Sequence, residues 1–320
     1  MEKVEGLDGL RQTVGGGVLT VGNFDGMHRG HLAIIDEARR IARERGAKVT
    51  LVTFEPHPLT VLRPDAVPPR LTPAPMKQAL IERAGVDRLV SLAPYPEVLS
   101  MTARRFWEMV RDEVRPVAWV EGDSFSFGKG AAGTVEQLMD WSKGTSVGVH
   151  IVPPRQVVLM DMQIVAVSST LARFLLMEGR LRDAAIVLGR AYALAGNVVH
   201  GQHRGRTIGF PTVNLDCGDQ LIPADGVYAG RCTVGDTTFA AAVNIGAAPT
   251  FGDTARTVEA HLIGFSGDLY GQTLELELLD FIRDQRKFAG VDALRRQLTH
   301  DMRTAAGMRD FDPTRSLARV

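Results

Sequence analysis

The spacing of apolar runs changes near residue 190, and this change constrains the fold more than any other feature of the chain. Before that point, short apolar runs such as 18–21 and 48–54 alternate with amphipathic segments of helical spacing. This alternation is typical of βαβ units, which build a parallel sheet. The first part of the chain is therefore predicted to be an α/β domain with a Rossmann-like parallel sheet, whose ligands bind beyond the carboxyl ends of the strands.

Beyond residue 189 the apolar runs are short and closely spaced. Strand candidates lie at 192–200, 226–234, 238–245, 258–263 and 273–282. Such spacing is typical of an antiparallel barrel or sandwich, of which we predict the barrel. A last segment at 291–308 has apolar residues at helical spacing, which predicts a terminal helix. The predicted domains are residues 1–187 and 188–320.

Composition and charge exclude several classes of protein. Lysine plus arginine and aspartate plus glutamate number 37 each, so the chain lacks the positive field of nonspecific nucleic-acid binders. Its two cysteines are too few for a disulfide framework and lack metal-site spacing. No apolar run reaches the ~20 residues of a membrane span, and the first residues lack the apolar stretch of a signal peptide. We expect a cytoplasmic protein with small-molecule partners, no nucleic acid and no membrane; the sequence does not determine its oligomeric state.

The string GNFDGMHRGH at 22–31 lies between the first predicted strand and the first predicted helix. Amides exposed at a helix start form an anion site, and His28 and His31 point to the same side of one turn. Gly30 lets a nucleotide approach the backbone closely. Two surface histidines beside a turn glycine would give the same letters, but the position between strand and helix favours a functional site. Positioned donors here would stabilise charge developing on a phosphate under attack.

Two further segments of the first domain have patterns that suit ligand binding. Ser169 and Thr170 lie at a predicted helix start, and Arg173 shares a helix face with Ser169, where its guanidinium could bind phosphate. Hydroxyl residues at this position are also common helix caps. Phe125 and Phe127 alternate along an extended stretch, a pattern that fits core packing as well as a ligand wall.

The second domain carries the string GQHRGRTIGFPTVNL at 201–215. Its glycines and arginines could fold backbone amides around phosphates, although a basic surface loop has the same composition. Thr212 and Asn214 alternate, so on a strand they share a face and offer oxygen ligands suited to Mg²⁺. A Thr–Asn pair on a solvated strand face is the plain alternative.

These motifs resemble those of a known family. GNFDGMHRGH, followed by TFEPHP at 53–58, resembles the N-terminal module of prokaryotic bifunctional riboflavin kinase/FAD synthetases, a module of the HxGH nucleotidylyltransferase type. GQHRGRTIGFPTVN resembles the riboflavin kinase signature, with valine where alanine is usual, and the resemblance covers about residues 16–308. It implies phosphorylation of riboflavin to FMN by ATP, then adenylylation of FMN to FAD with release of pyrophosphate, with Mg²⁺ accompanying ATP.

The resemblance also implies roles for individual residues. Glu259 would be the base of the kinase step, which sequence alone does not distinguish from Glu275 or Glu277. His28 and His31 would act in adenylyl transfer. The remaining implied contacts are, for ATP and its phosphates, Gly22, Asn23, Phe24, Gly30, Ser169, Thr170, Arg173, Gly205 and Arg206; for the flavin, Ser124, Phe125 and Phe127; and for Mg²⁺, Thr212 and Asn214.

Two positions depart from the family pattern. Ser124 stands where Asp or Asn is usual, and Leu171 stands where Arg is frequent. They motivate one alternative, a riboflavin kinase with weak or lost adenylyltransferase activity. A non-catalytic flavin-binding protein is a second alternative. His28, His31 and Arg173 argue against the first alternative, and the complete HxGH and PTVN strings argue against the second.

Overall fold

The computed structural model describes residues 1–13, 15–201, 208–247 and 256–308. The chain divides into two compact units. The first comprises Met1–Pro68 and Ala74–Gln156, and the second comprises Pro69–Pro73 and Val157–Val320.

The first unit is built on a parallel sheet. Its strands are β1 (Glu2–Glu5), β2 (Val18–Val21), β3 (Val49–Phe54), β4 (Arg88–Leu92), β5 (Ala118–Gly122), β6 (Ser126–Phe127), β7 (Gly133–Thr134) and β8 (Gly148–Val152). Its helices are α1 (Gly6–Thr13), α2 (Arg29–Arg45), α3 (Leu59–Leu62), α4 (Ala74–Arg83), α5 (Pro96–Leu99), α6 (Ala103–Met109) and α7 (Val135–Ser142). A π-helical segment, Val110–Val114, continues α6, and short 3₁₀ turns lie at Pro64–Ala66 and Lys129–Ala131.

The strand order explains where a ligand can bind in this unit. Among the described residues, the large sheet runs β1-β4-β3-β2-β5-β8, and all its pairs are parallel. From β2 the chain adds β3 and β4 on one side, and later β5 and β8 on the other. The order therefore reverses between β2 and β5, and ligands of open α/β sheets bind at such a switch point.

Burial on both faces of the sheet explains the apolar strand runs. β2 is buried along its whole length, between two separate apolar clusters that cover the two sheet faces. Helix α2 covers one face with its periodic apolar side, which includes Ile35, Ala38 and Ile41. It ends at Gly46, whose φ of 60° is the left-handed conformation that glycine adopts without strain.

The second unit contains the predicted barrel. Its strands are β9 (Gln156–Val158), β10 (Ile164–Ala166), β11 (Tyr192–Val199), β12 (Val213–Asp216), β13 (Gly226–Val234), β14 (Thr237–Ala247), β15 (Arg256–Leu262) and β16 (Thr273–Arg283). Its helices are α8 (Ser169–Met177), α9 (Leu181–Leu188) and α10 (Val291–Gly307). Among the described residues, β11-β12-β15-β14-β13-β16 close into an antiparallel barrel, and β9 pairs with β10. The predicted α/β domain, antiparallel barrel and terminal helix are confirmed.

Helices α8 and α9 contribute to the same core as the barrel. Leu175 and Leu176 of α8 and Ile186 of α9 are buried in one apolar cluster with Leu194 and Tyr228 of the barrel strands. The compact units therefore divide earlier in the chain than residue 187, because both helices bury their apolar sides in the second unit. The predicted division at 187/188 stays a prediction about which piece folds and functions by itself.

Candidate functional sites

The HxGH segment forms the start of α2 in the first unit. His28 is the N-cap, and its Nδ1 accepts a hydrogen bond of 3.3 Å from the backbone N–H of His31. Because Nδ1 accepts, a neutral His28 carries its proton on Nε2. The two imidazole rings stack with centroids 3.6 Å apart, so both lie together beside the first turn of the helix. The structure thus brings together the two histidines that the sequence predicted to share a face.

The backbone before this helix is unusually bent. Phe24 and Met27 have φ of 49° and 40°, a left-handed conformation that costs energy for residues with a side chain. Both side chains are buried in the core, where they hold the bend in place. Since the Phe24 ring is buried, its predicted contribution to an ATP site would come from the backbone. A side chain at Gly22 would come within 3.2 Å of the Phe24 ring.

Asn23 is held by residues of the neighbouring strand and of the turn that follows it. Its carbonyl accepts from Thr53 Oγ1 at 3.1 Å, and its side-chain amide lies 3.2 Å from His57 Nε2. His57 Nδ1 accepts from the N–H of Leu59, so a neutral His57 carries its proton on Nε2. His57 belongs to the TFEPHP string, whose sequence does not indicate this contact.

A buried lysine stabilises the same corner. Lys77 of α4 forms an ion pair of 2.9 Å with Glu55 and contacts the carbonyl of Phe54 and the hydroxyl of Thr53. Its side chain is 8% exposed, so the charge is compensated by these oxygens rather than by water. Thr53 links Lys77 to Asn23, and sequence reasoning missed Lys77 because its partners come from a different element.

The predicted flavin residues differ in exposure. Phe127 is buried, Phe125 is half-buried and Ser124 is exposed. The two phenyl rings stack at 5.3 Å, and Trp119 contacts both with ring centroids 6.2 and 5.9 Å away. Phe127 therefore packs as a core residue, while Phe125 and Ser124 keep surface that a ligand could contact.

The residues predicted at the start of α8 lie in the second unit. Ser168, rather than Ser169 or Thr170, caps the helix by accepting from the N–H of Leu171 at 3.1 Å. Arg173 Nε donates to the carbonyl of Pro69 at 2.8 Å. Because His28 and His31 belong to the first unit, a common triphosphate site with these residues stays a prediction.

Leu171, which stands where the family frequently has arginine, lies on α8. Its side chain is half-buried and packs against the apolar cluster of the second unit. The leucine therefore has a packing role, which explains an apolar residue at this position.

A row of polar residues crosses three neighbouring strands of the barrel. Asn214 of β12 pairs with Glu259 of β15, which pairs in turn with Asn244 of β14. Directly opposite residues share a face, with Cβ atoms about 4.5–5.5 Å apart. Val258 and Ala260 are buried in the barrel core, so Glu259 between them points to the outside. The predicted base and one predicted Mg²⁺ ligand are thus direct neighbours.

The other two candidate bases lie elsewhere. Glu275 and Glu277 belong to β16, which pairs with β11 and β13 and not with β12 or β15 within the described residues. Glu277 forms an ion pair with Arg231, and Glu275 is exposed. Strand order therefore favours Glu259, which the sequence alone could not do.

A histidine of β15 binds the segment that leads into β12. His261 Nδ1 lies 2.7 Å from the carbonyl of Pro211, and because a carbonyl only accepts, Nδ1 carries the proton and donates. Phe210 packs edge-on against the same imidazole. Thr212, which follows, lies just before the strand rather than within it. His261 is two residues beyond Glu259 on the same strand face, and sequence reasoning missed this contact.

Close approach explains one glycine of this site. A Cβ at Gly201 would come within 2.2 Å of the Asn214 amide, so a side chain there would displace the amide from its present position. On the other side of the row, Gln285 Nε2 donates to Asn244 Oδ1 and to the carbonyl of Ile245, at 3.0 Å each. Gly205 and Arg206 lie outside the described residues, as do Pro249, Thr250 and Phe251.

The donor set suits a metal held jointly with a substrate. Among the described residues, no three His, Cys, Asp or Glu side chains are grouped so that they could hold a metal ion. A hydroxyl and an amide oxygen, from Thr212 and Asn214, fit Mg²⁺ that keeps phosphate oxygens and water as its other ligands.

Both cysteines are free and buried; burial raises the pKa of Cys217 to about 12 and also raises the pKa of Cys232.

Fold and sites together define a two-part transferase, and comparison with known proteins agrees. A family model described as FAD synthetase matches residues 11–171, and one described as riboflavin kinase matches residues 188–308. The bifunctional riboflavin kinase/FMN adenylyltransferase of Escherichia coli K12 is 34% identical over 95% of this chain and 97% of its own length. The enzyme of the same name from Bacillus subtilis is 33% identical over 90% of this chain and 91% of its own length. The chain belongs to the bifunctional riboflavin kinase/FMN adenylyltransferase family.

A solved structure is similar along the whole chain. It comes from Streptococcus pneumoniae and was described as a macrolide-efflux protein; its TM-score is 0.85, at 28% identity, over 97% of this chain and 100% of that one. That description belongs to the other protein. In the present chain, none of the helices within the described residues has the length and apolarity to cross a bilayer.

Proposed function

We propose that the polar row of the barrel, formed by Asn214, Glu259 and Asn244, phosphorylates riboflavin. The HxGH segment at the start of α2, in the first unit, adenylylates the product. The two reactions are ATP-dependent conversion of riboflavin to FMN, and transfer of AMP from a second ATP to FMN, which gives FAD and pyrophosphate. The observation that carries this assignment is the pairing of Glu259 with Asn214 on adjacent strands. It places a carboxylate beside an oxygen ligand suited to Mg²⁺.

In the kinase step, Glu259 is the general base. The terminal ribityl hydroxyl of riboflavin loses its proton as it attacks the γ-phosphate, and a carboxylate within hydrogen-bond reach accepts that proton. Thr212 and Asn214 would hold Mg²⁺ with the phosphates of ATP, where the cation supplies charge neutralisation. His261 keeps Thr212 in place through the carbonyl of Pro211.

In the adenylyl step, the FMN phosphate attacks the α-phosphate of ATP in line and pyrophosphate leaves. The start of α2 offers backbone amides and the positive end of the helix dipole to the phosphates. His28 and His31 supply side-chain donors beside the same turn. Asn23, held by Thr53 and His57, lines the approach from the neighbouring strand. No covalent intermediate is needed, because the chain's contribution is to position and stabilise charge.

The predicted cytoplasmic location is part of the same proposal, since both steps consume ATP. The test of the proposed function is separation of the flavins formed when the pure protein is incubated with riboflavin, ATP and Mg²⁺. FAD is the expected product. FMN alone would favour the kinase-only alternative, and unchanged riboflavin would favour a flavin-binding protein without catalysis.

A further inference from the structure

The switch point of the parallel sheet contains a buried carboxyl group. Within the described residues, β2 and β5 pair at Val18–Ala118 and Leu19–Trp119 and no further. Beyond these pairs, Oε1 of Glu121 accepts a hydrogen bond of 2.7 Å from the backbone N–H of Val21. The carboxyl group therefore takes the place of a strand carbonyl where the two strands separate.

The same oxygen has a second donor. Trp119 Nε1 donates to Glu121 Oε1 at 2.6 Å. Trp119 and Glu121 are two residues apart on one strand, so they share the sheet face that carries the aromatic cluster. The Trp119 ring contacts Phe125 and Phe127, which are the predicted flavin residues.

Oε1 of Glu121 thus connects the end of β2, which leads into the HxGH segment, with the tryptophan that packs against the predicted flavin residues. Val21 immediately precedes Gly22 and Asn23 on the nucleotide side, and Trp119 supports the aromatic rings on the flavin side. Glu121 is 2% exposed, and burial raises the pKa of its carboxyl group well above its ordinary value. An apolar residue at this position would avoid the cost of burying a carboxyl group. It would, however, leave the N–H groups of Val21 and Trp119 buried without an acceptor. The carboxyl group has a use that packing alone does not explain.

We propose that Glu121 is a positioning residue for FMN adenylylation, which holds the end of β2 and the aromatic cluster of β5 in one fixed relation. This inference rests on the proposed adenylyl site of the first unit. If Glu121 has this role, loss of the hydrogen bond from Trp119 to Glu121 should disturb FMN binding more than ATP binding. Riboflavin phosphorylation, which belongs to the second unit, should not change.

The chain offers a matched pair of tryptophans for the test. Trp107 is as buried as Trp119 and stacks on it with centroids 6.1 Å apart, but within the described residues its Nε1 has no hydrogen-bond partner. Trp119→Phe removes an indole and its bond to Glu121, whereas Trp107→Phe removes an indole alone. Loss of one net hydrogen bond corresponds to roughly 2- to 13-fold in a binding constant. We expect Trp119→Phe to raise the KM for FMN by about that factor, and Trp107→Phe to leave it within about twofold.

Glu121 itself is tested by rescue. Glu121→Gln keeps an oxygen that both donors can reach, so kcat and KM should stay within about threefold of the original values. Glu121→Leu keeps the approximate volume but removes the acceptor, and kcat/KM for FMN should fall at least ~10-fold. The melting temperature, the far-ultraviolet circular dichroism and the riboflavin kinase rate are measured for all four variants, so that folding of the first unit is checked separately from the kinase of the second.

The outcomes separate two kinds of failure. Equal effects of Trp119→Phe and Trp107→Phe on the KM for FMN would overturn the positioning role, and this comparison holds even where Glu121→Leu does not fold. Adenylyl constants at their original values in a Glu121→Leu protein that circular dichroism shows to be folded would overturn it as well. An unaltered protein that makes FMN but no FAD would instead overturn the adenylyl assignment itself, and the role of Glu121 with it.

Discussion

Single histidines and carboxylates carry the assignment of the two reactions, so substitutions at them separate the two sites. His28 is the clearest case in the first unit, because it is both the cap of α2 and a stacking partner of His31. Glu259 is its counterpart in the second unit. The two sites are expected to fail independently.

His28→Ala combined with His31→Ala is expected to abolish FAD formation while FMN still forms from riboflavin. The double change removes both side-chain donors at the start of α2, and each positioned donor typically contributes ~10²–10³ in rate. Flavin chromatography measures both products in one sample. Because loss of the cap also weakens the helix, the melting temperature and far-ultraviolet circular dichroism are the control for folding of the first unit. Equal loss of FMN and FAD would contradict the assignment of HxGH to adenylyl transfer.

Glu259→Gln is expected to have the opposite effect. The carboxamide keeps the shape of the side chain but cannot accept the ribityl proton, so the kinase step should slow by roughly 10²–10⁴. FAD synthesis from supplied FMN should continue. Glu275→Gln is the matched control, because Glu275 is exposed on a strand that does not neighbour β12. Similar kinase rates for the two variants would remove Glu259 from the role of base.

His261→Ala tests how the PTVN segment is held. The change removes the 2.7 Å hydrogen bond to the carbonyl of Pro211, which precedes the predicted Mg²⁺ ligand Thr212. We expect the KM for Mg–ATP in the kinase step to rise roughly 2- to 13-fold, the value of one net hydrogen bond. Steady-state kinetics of riboflavin phosphorylation at varied ATP measure it. An unchanged KM with a lower melting temperature would indicate a purely structural contact.

At the scale of elements, packing of α8 restricts position 171, where the family pattern frequently has arginine and this chain has Leu171. Leu171→Arg would place a cation against the apolar cluster of the second unit, where an uncompensated polar group costs about 1–3 kcal/mol. We therefore expect a lower melting temperature and no gain in FAD synthesis. Met177→Arg is the control, since Met177 on the same helix is 59% exposed. A faster adenylyl step in Leu171→Arg would show instead that an arginine was missing.

Sequence patterns predicted most elements of both units but not all of them. The strand at Val18–Val21 and the strand at Gly226–Val234 were predicted at their observed bounds, because buried strands give continuous apolar runs. β1 and α1 were not predicted, since β1 is a short edge strand with the mostly polar sequence EKVE. Its place in the sheet depends on pairing with β4, which local sequence does not encode.

At the scale of the whole molecule, a short segment of the first half of the chain belongs to the second unit. Within Pro69–Pro73, the carbonyl of Leu71 accepts from Gln220, and the Leu71 side chain is fully buried in the core of the second unit. Helices α8 and α9 are buried in that core too. The second unit therefore depends on residues that precede residue 188.

Truncation tests this dependence. A chain of residues 157–320 retains α8 and α9 and is expected to fold and to phosphorylate riboflavin, with a lower melting temperature than the full chain because Leu71 is missing. Loss of a buried leucine typically costs ~2–5 kcal/mol. A chain of residues 188–320 should be less stable again, because it also lacks Leu175, Leu176 and Ile186. Equal melting temperatures for the two pieces would support the division at 187/188.

Local chemistry determined the parts of this protein that the sequence could predict. Periods of 2 and 3.6 residues identified the strands and helices, and the strand–HxGH–helix order predicted the two histidines at one helix start. Alternation predicted that Thr212 and Asn214 share a strand face; Asn214 lies in β12, and Thr212 lies just before it. These features depend on residues that are neighbours in the chain, so their signal is contained in a short window.

Only the tertiary structure decided which distant residues meet. The pairing of Asn214 with Glu259 depends on strand order and register, and a shift of one residue would turn Glu259 into the barrel. The bond from Val21 to Glu121 joins residues 100 positions apart, at a gap between strands that appears only once the sheet has formed. Leu71 enters the second unit by the same kind of long-range packing. Such contacts leave no periodic trace in the sequence, because each side chain is selected by a partner that the fold brings to it.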